Sequence, residues 1–390
     1  MKPSSSPPRK AIAEFTAVIT GGTPSTQNKL FWDGDVPWLN SGALNGGDVR
    51  TPSRYITQEG LRNSAAKLMP PDTVLIALTG ATTGQVGYLN FESAANQSVT
   101  GILPSHEHNP RYLFHFLRTQ RERIKGDAFG AAQPHINQQY VKDIPVPLPP
   151  VPEQERIAAI LDAADALRAK RRESIEQLDS LIHATFLEMF GDPSSKPTVT
   201  VKPMTDVVKR FIDYRGKSPN KAPSGVPLIT AKIVKDKSVA EPNEFIPNND
   251  YSTWMRRGIP EPGDVILTTE APMGEVALVP DYKAAFAQRL LVLQPHKSEV
   301  TAAYLMWALT MPFIREQLRK RSTGSTVTGI RSKEFKQVLV PVPTLGMQAQ
   351  FSAVVESVTQ QRTRLKAHLA ELDALFASLQ SWAFNGELVA

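Results

Sequence analysis

Two short stretches concentrate positive charge where a polyanion could be met: "RTQRERIK" at 118–125 and "REQLRKR" at 315–321. Each runs into a loop rich in Gly, Ser, Thr, Asn or Gln, "GDAFGAAQPHINQQ" in the first case and "STGSTVTGIRSK" in the second. Guanidinium and ammonium groups suit phosphate oxygens, while Asn, Gln, Arg and Ser offer donors and acceptors that can read base edges. The candidate DNA-binding residues are therefore Arg118, Arg121, Arg123, Lys125, Gln133, His135, Asn137 and Gln138 in the first stretch. In the second they are Arg315, Arg319, Lys320, Arg321, Ser325, Thr326, Arg331 and Lys333. A charged outer helix face would explain either cluster alone. Recurrence of the same arrangement with different loop residues points instead to two readers of different sequences.

Catalytic chemistry finds no comparable support. "GKS" at 216–218 resembles the end of a phosphate loop, but the glycine needed at position 211 is Phe211. Neither "HExxH" nor "GxSxG" occurs. His106 and His108 in "SHEHNP" have no cysteine to help hold a metal and read as a solvated loop. "NPRY" at 109–112 lacks the second proline of an amino-methyltransferase motif, and "EFK" at 334–336 reads as a strand edge. No catalytic residue and no metal ligand is expected.

Residues so placed need a scaffold, and 390 residues suit two or three domains, with 41% hydrophobic content sufficing for packed cores. The absence of cysteine excludes disulfides. The charge of +6 and pI near 9.3 are a mild excess that solubility alone could explain. No apolar run approaches the roughly 18–20 residues that cross a bilayer. The start, "MKPSSSPPRKAIAEF", reads as a loose polar tail over residues 1–10. A cytoplasmic chain is expected.

The sequence repeats itself. "PWLNSGALNGGDV" from Pro37 aligns with "PLITAKIVKDKSV" from Pro227, and "TGATTGQVG" from Thr79 with "TEAPMGEVA" from Thr269. "GAAQPHINQQYVKDIPVPLP" from Gly130 meets "GSTVTGIRSKEFKQVLVPVP" from Gly324. Apolar positions and glycines persist while polar ones diverge. Each copy places short β-like runs first ("DTVLIAL" at 72–78, "GDVILTT" at 263–269), then a short helix carrying the basic cluster, the loop, a last strand and a proline stop.

After each stop comes the strongest periodic signal in the chain. Ile157, Ile160, Leu161, Ala164, Ile175, Leu178, Leu181 and Ile182 form one stripe. Phe351, Val354, Val355, Val358, Leu369, Leu372, Leu375 and Phe376 form its counterpart. Pro152 with Glu153 and Glu155 suits a helix start, and Gly191 with Pro193 suits its end. Each helix would span roughly 57 Å, too long a stripe for one globule to bury, so the two helices should pack on each other. The expectation is an α+β fold: two pseudo-repeated mixed α/β domains separated by two long antiparallel coiled-coil helices, which would act as a spacer bar. Domain one covers 1–150, the first helix 151–193, domain two 194–345, and the second helix with its tail 346–390.

The stretch "HINQQYVKDIPVPLPPVPEQERIAAILDAADALRAKRRESIEQLDSLIHATFLEMFGDP" at 135–193 and the ending "FNGEL" at 384–388 resemble the specificity subunits of type I restriction-modification systems. The similarity extends over nearly the whole chain. It implies two target-recognition domains, each binding one half of a split, asymmetric double-stranded DNA target. It implies helices that fix the gap and dock two methyltransferase (modification) subunits, which carry S-adenosylmethionine and methylate adenine N6. Up to two restriction (motor-nuclease) subunits using ATP and magnesium would join them, and this chain itself would hold no cofactor. The competing readings are a protein-binding coiled-coil adaptor and a stand-alone nuclease with an unrecognised site.

Overall fold

The computed structural model describes residues 7–130, 134–192, 199–214, 218–324 and 328–388. Contacts divide the chain into two compact units that each take part of both long helices: Met1–Glu173 with Lys366–Ala390, and Ser174–Leu365. The helices themselves run Val151–Phe190 and Leu345–Asn385.

In the first unit the aliphatic run Val74–Ala77 is buried on both faces and sits at the centre of a five-stranded sheet. The strand order is Val18–Thr20, Val99–Ile102, Val74–Ala77, Val86–Leu89, Asp48–Val49. A three-stranded sheet, Arg54–Ile56, Trp32–Leu39, Ala94–Ala95, lies beside it in the fold. The second unit repeats the plan with Val208–Asp213, Leu290–Pro295, Val265–Thr269 and Met273–Leu278 in one sheet, and Phe245–Ile246, Val226–Ile229 and Ala285–Phe286 in the other. In both, the middle strand of the three-stranded sheet pairs antiparallel with one neighbour and parallel with the other. A topology so particular, repeated with divergent polar residues, is the fold the sequence repeat required.

The last strand of each globule is the proline-rich one. Pro145–Pro147 pairs antiparallel with Arg9–Ala11, so Arg9 and Lys10, expected in the loose tail, are part of the first globule, and Leu339–Val342 pairs with Thr200–Pro203. Proline lacks the donor a central strand needs, so each two-stranded ladder ends there and the chain turns into its long helix.

Three local readings are corrected. The helix carrying each basic cluster is two helices: Pro110–Thr119 and Arg121–Asp127, and Ala302–Ala308 and Pro312–Arg321. In the second pair Pro312 starts a new helix at its first position, since proline disfavours α geometry in the residue before it. In "EFK", Glu334 and Phe335 end the short helix Ser332–Phe335 and Lys336 caps it, with Phe335 buried, so the stretch is not a strand edge. His108 is 3% exposed, bonded to Ser105 and edge-on to Phe15, so it is a core histidine and only His106 is solvated.

The helix stripe is also narrower than its period suggested. Ile157, Leu161, Ile182, Phe351, Val355, Val358 and Phe376 are buried, but Leu181, Val354 and Leu375 are exposed. A straight α-helix drifts against a strict heptad, and each globule claims its own face: Ile182, Phe186 and Phe190 enter the core of the second unit. Within the first unit Arg156 reaches Leu388 and Arg168 pairs with Asp373; within the second Arg362 pairs with Asp179 and Phe351 meets Phe186. Rising numbers on one helix meet falling numbers on the other, so the segments are antiparallel inside each unit. Among the described residues no helix is long and apolar enough to cross a membrane.

Candidate nucleic-acid interface

Each unit closes the same small hairpin after its basic helix. In the first, the Phe129 N–H donates to the His135 carbonyl (2.9 Å) and the His135 N–H returns to Phe129 (2.8 Å). In the second, Thr323 and Gly329 exchange the same pair at 2.9 and 3.0 Å. The residue after each hairpin, Ile136 or Ile330, donates to the carbonyl of Leu78 or Thr269, which anchors the hairpin at the end of a central strand. Gln133, Ser325 and Thr326 lie outside the described residues.

A glycine in each copy brings the basic helix onto the sheet. Gly84 and Gly274 have φ of +76° and +90°, and a Cβ at Gly274 would run into Arg315 Nη1. At Gly84 it would meet Ile124 at 3.1 Å. Only glycine meets both demands, so this register is fixed by the repeat "TGQVG/MGEVA" itself.

The candidate residues fall into two groups. Arg118 is bound to Asp165 at 2.7 Å and lies over Phe114. Asn137 caps the helix Gln138–Lys142 by accepting from the Tyr140 N–H, and Gln138 donates to the Val18 carbonyl. Arg121 and Arg315 are partly buried against the sheet, and burial pulls the Arg315 pKa below its ordinary value. These side chains are engaged in bonds or packing within the globules, with Asn137 still exposed. The others face outward: Arg123 and Lys125, paired with exposed Asp127 and Glu122; His135; Arg319 and Lys320, both on Glu316; Arg331 and Lys333. Arg321 is partly buried at the end of its helix. The Arg319 guanidinium, bonded through two nitrogens, holds the Glu316 carboxyl down to about 2. Such exposed pairs are weak in water, so a phosphate can replace the carboxylate at little cost.

Two features were missed by sequence reasoning. Phe129 is 65% exposed at the foot of the first hairpin, its ring 6.2 Å from that of His135. Its only sequence signal is an aromatic residue inside an otherwise polar, glycine-containing loop. The second is an ion network joining the first globule to the first long helix. Asp162 accepts from Arg111 Nε (3.0 Å) and His115 Nε2 (2.7 Å), and Arg111 also reaches Asp48 at 2.6 Å. Burial alone would raise the Asp162 carboxyl, but His115 and Arg111 outweigh it and hold it down to about 2. Nothing in sequence pairs residues that lie so far apart.

The same region sets a pH dependence. Burial pushes His108 down to about 4, and it lowers His115 despite the opposing Asp162. Both bind a proton less readily in the fold than in the unfolded chain, where histidine titrates near 6.5. Their contribution is complete above about 6.5 and is lost as pH falls toward the folded value. His108 alone should cost the first unit about 2 kcal/mol between pH 7 and pH 5. Thermal unfolding followed across that range should show a falling Tm, and the double variant His108→Gln, His115→Gln should fall less steeply.

The family model of the type I restriction modification DNA specificity domain matches residues 9–177 and 198–373. The MjaIX specificity subunit of Methanocaldococcus jannaschii is 27% identical over 188 residues, 47% of this chain and 43% of that protein. The chain thus spans less than half the length of that relative. The MjaVIII specificity subunit of the same organism is 21% identical over 372 residues, 89% of this chain and 84% of the other. A chain from a structure concerned with complex assembly and conformational transition of the type I R-M system shares the fold, with TM-score 0.59 and 18% identity over 99% of this chain and 100% of its own. Among the described residues no group of three or more His, Cys, Asp or Glu could hold a metal ion.

Proposed function

This chain belongs to the type I restriction modification DNA specificity family, and on that premise we propose that it is the non-catalytic subunit that reads a bipartite, asymmetric DNA target. Each unit takes one half of that target. The observation that carries the reading is the hairpin after the basic helix, built twice on one backbone plan with different side chains. A scaffold for protein partners alone would not need two differently equipped copies of such a loop. Outward Arg and Lys groups position the duplex through phosphates, and polar side chains of the loops that follow the basic helices supply the base contacts.

Methylation and cleavage then belong to other chains. We assign to two modification subunits the S-adenosylmethionine and the transfer to adenine N6, and to as many as two restriction subunits the ATP- and magnesium-dependent steps. The chain works in the cytoplasm, where its DNA lies. The two long helices set the gap between the half-sites.

The electrostatic part can be tested directly. Arg319, Lys320 and Arg321 changed together to Gln should weaken DNA binding for all sequences. The slope of log affinity against log salt should fall by up to about 0.9 for each phosphate that is no longer neutralised. Arg118→Gln, which removes an internal ion pair, should leave that slope unchanged. A salt series with a duplex of the mapped target decides; equal slopes for wild type and the triple variant would return the cluster to a solvated helix face.

A further inference from the structure

One buried glutamine stands near the start of each long helix. Gln154 and Gln348 are both 0% exposed. Gln154 Oε1 accepts from the Asn109 N–H at 2.8 Å, and its Nε2 donates to the carbonyls of Pro149 (2.8 Å) and Glu107 (3.4 Å). Gln348 makes the equivalent bonds: Oε1 accepts from the Thr301 N–H at 2.8 Å, and Nε2 donates to Pro343 (2.9 Å) and Glu299 (2.8 Å). The surroundings differ in sequence, "PEQER" against "GMQAQ", yet the three backbone partners are equivalent.

The partners lie on both sides of the joint. Pro149 and Pro343 belong to the proline exit of the globule. Asn109 and Thr301 are the caps of the globule's own helix, each accepting from the N–H of Tyr112 or Tyr304. Those tyrosines in turn donate to the carbonyls of Pro147 and Pro341 at 2.7 and 2.8 Å. One amide group therefore ties the long helix to the exit strand and to the globule helix at once.

The neighbouring restraints are less directional. Phe384 beside Tyr112, and Phe190 and Phe351 beside Tyr304, make ring contacts that tolerate sliding. The ion network of Arg111, His115 and Asp162 exists in the first unit; in the second, Trp307 stands in the position that corresponds to His115. What both joints share in directional bonds from the long helix itself is the glutamine. A fully satisfied buried amide fixes both direction and register, because any rotation strands a polar group away from water.

We infer that Gln154 and Gln348 are positioning residues for DNA recognition: each fixes the angle at which a recognition globule leaves its long helix, and together they restrict the target to one gap length. This inference rests on the chain being a bipartite DNA reader, and it adds residues that touch no DNA to those that determine the target. The test uses Gln154→Met and Gln348→Met in the full chain with its modification subunits, since methionine keeps the length and removes the amide. Methylated adenines are mapped across a genome for wild type and variants. Each variant should keep both half-site sequences while methylation spreads to gaps one base pair longer or shorter, the preference for the native gap falling about tenfold. Unchanged gap preference in both variants, or an altered half-site sequence, overturns the inference.

If a variant methylates nothing, binding to duplexes carrying one half-site decides. Retention of each half alone shows that only their coordination has failed and supports the joint; loss of both halves makes the glutamines merely structural and overturns it. Failure of wild type to give any bipartite map would instead refute the underlying reading.

Discussion

Exchanging residues 196–343 for the matching segment of a related specificity subunit should change one half of the DNA target and leave the other half as it was. The segment carries its own sheets, with Val265, Leu267, Leu291 and Leu293 wholly buried, and its own hairpin. The first unit keeps a separate core around Val74, Ile76, Tyr112 and Phe116. The graft must preserve what the host helices expect. Tyr304 packs between Phe186, Phe190 and Phe351, so the donor needs an aromatic residue there. Changes in base specificity commonly amount to about 1–3 kcal/mol per base pair, so several exchanged base-reading side chains should abolish methylation of the old half-site. Mapping methylated adenines in cells carrying the chimera reads the outcome. A simultaneous change in both halves would contradict independent reading by the two units.

The second large effect is on stability. Phe351→Ala should destabilise the second unit by about 3–5 kcal/mol, because a fully buried ring is removed from a packed site. Phe351 meets Phe186 and Phe190 edge-on at 5.5 Å each and Tyr304 at 6.2 Å. Collapse into the vacancy is restricted by the backbone bonds of Gln348 and Tyr304 on either side. Phe376→Ala in the first unit should cost less. That ring lies against the guanidinium of Arg168 (4.3 Å) and the edge of His115, and the Arg168 pair with Asp373 survives its removal. Denaturant unfolding with a probe in each unit should show the midpoint of the second unit falling further in its variant than that of the first in its own. Equal, small shifts would mean that the aromatic cluster does not hold the second unit on its helices.

Much of this architecture was legible because it is local or periodic. Proline exits, apolar runs such as Val265–Thr269 and the two helix stripes are properties of neighbouring residues, and the repeat doubled each signal. The resemblance carried by residues 135–193 gave the family. What was not legible depends on partners far apart in the chain. The role of Gln154 needs Asn109 and Glu107, and a single Gln in a helix otherwise reads as solvated. His108 looked like half of a loop pair because Phe15, its ring partner, is distant in sequence. Leu181, Val354 and Leu375 fitted a heptad but are exposed, since the globules rather than the helix pair determine which face is covered. For the interface itself, residue type alone did not separate Arg118, Asn137 and Gln138, which are engaged inside the first unit, from Arg123, Lys125, Arg319 and Lys320, which face outward.

On the function proposed above, one chain with two differently equipped copies of a fold dictates a two-part DNA target. The most direct measurement is a genome-wide map of methylated adenines in cells that gain this chain together with modification subunits, compared with cells that lack only this chain. A single asymmetric motif, with two constant halves of different sequence separated by a gap of fixed length and free composition, is the result expected. A continuous motif, two identical halves, or methylation that does not depend on this chain would contradict it.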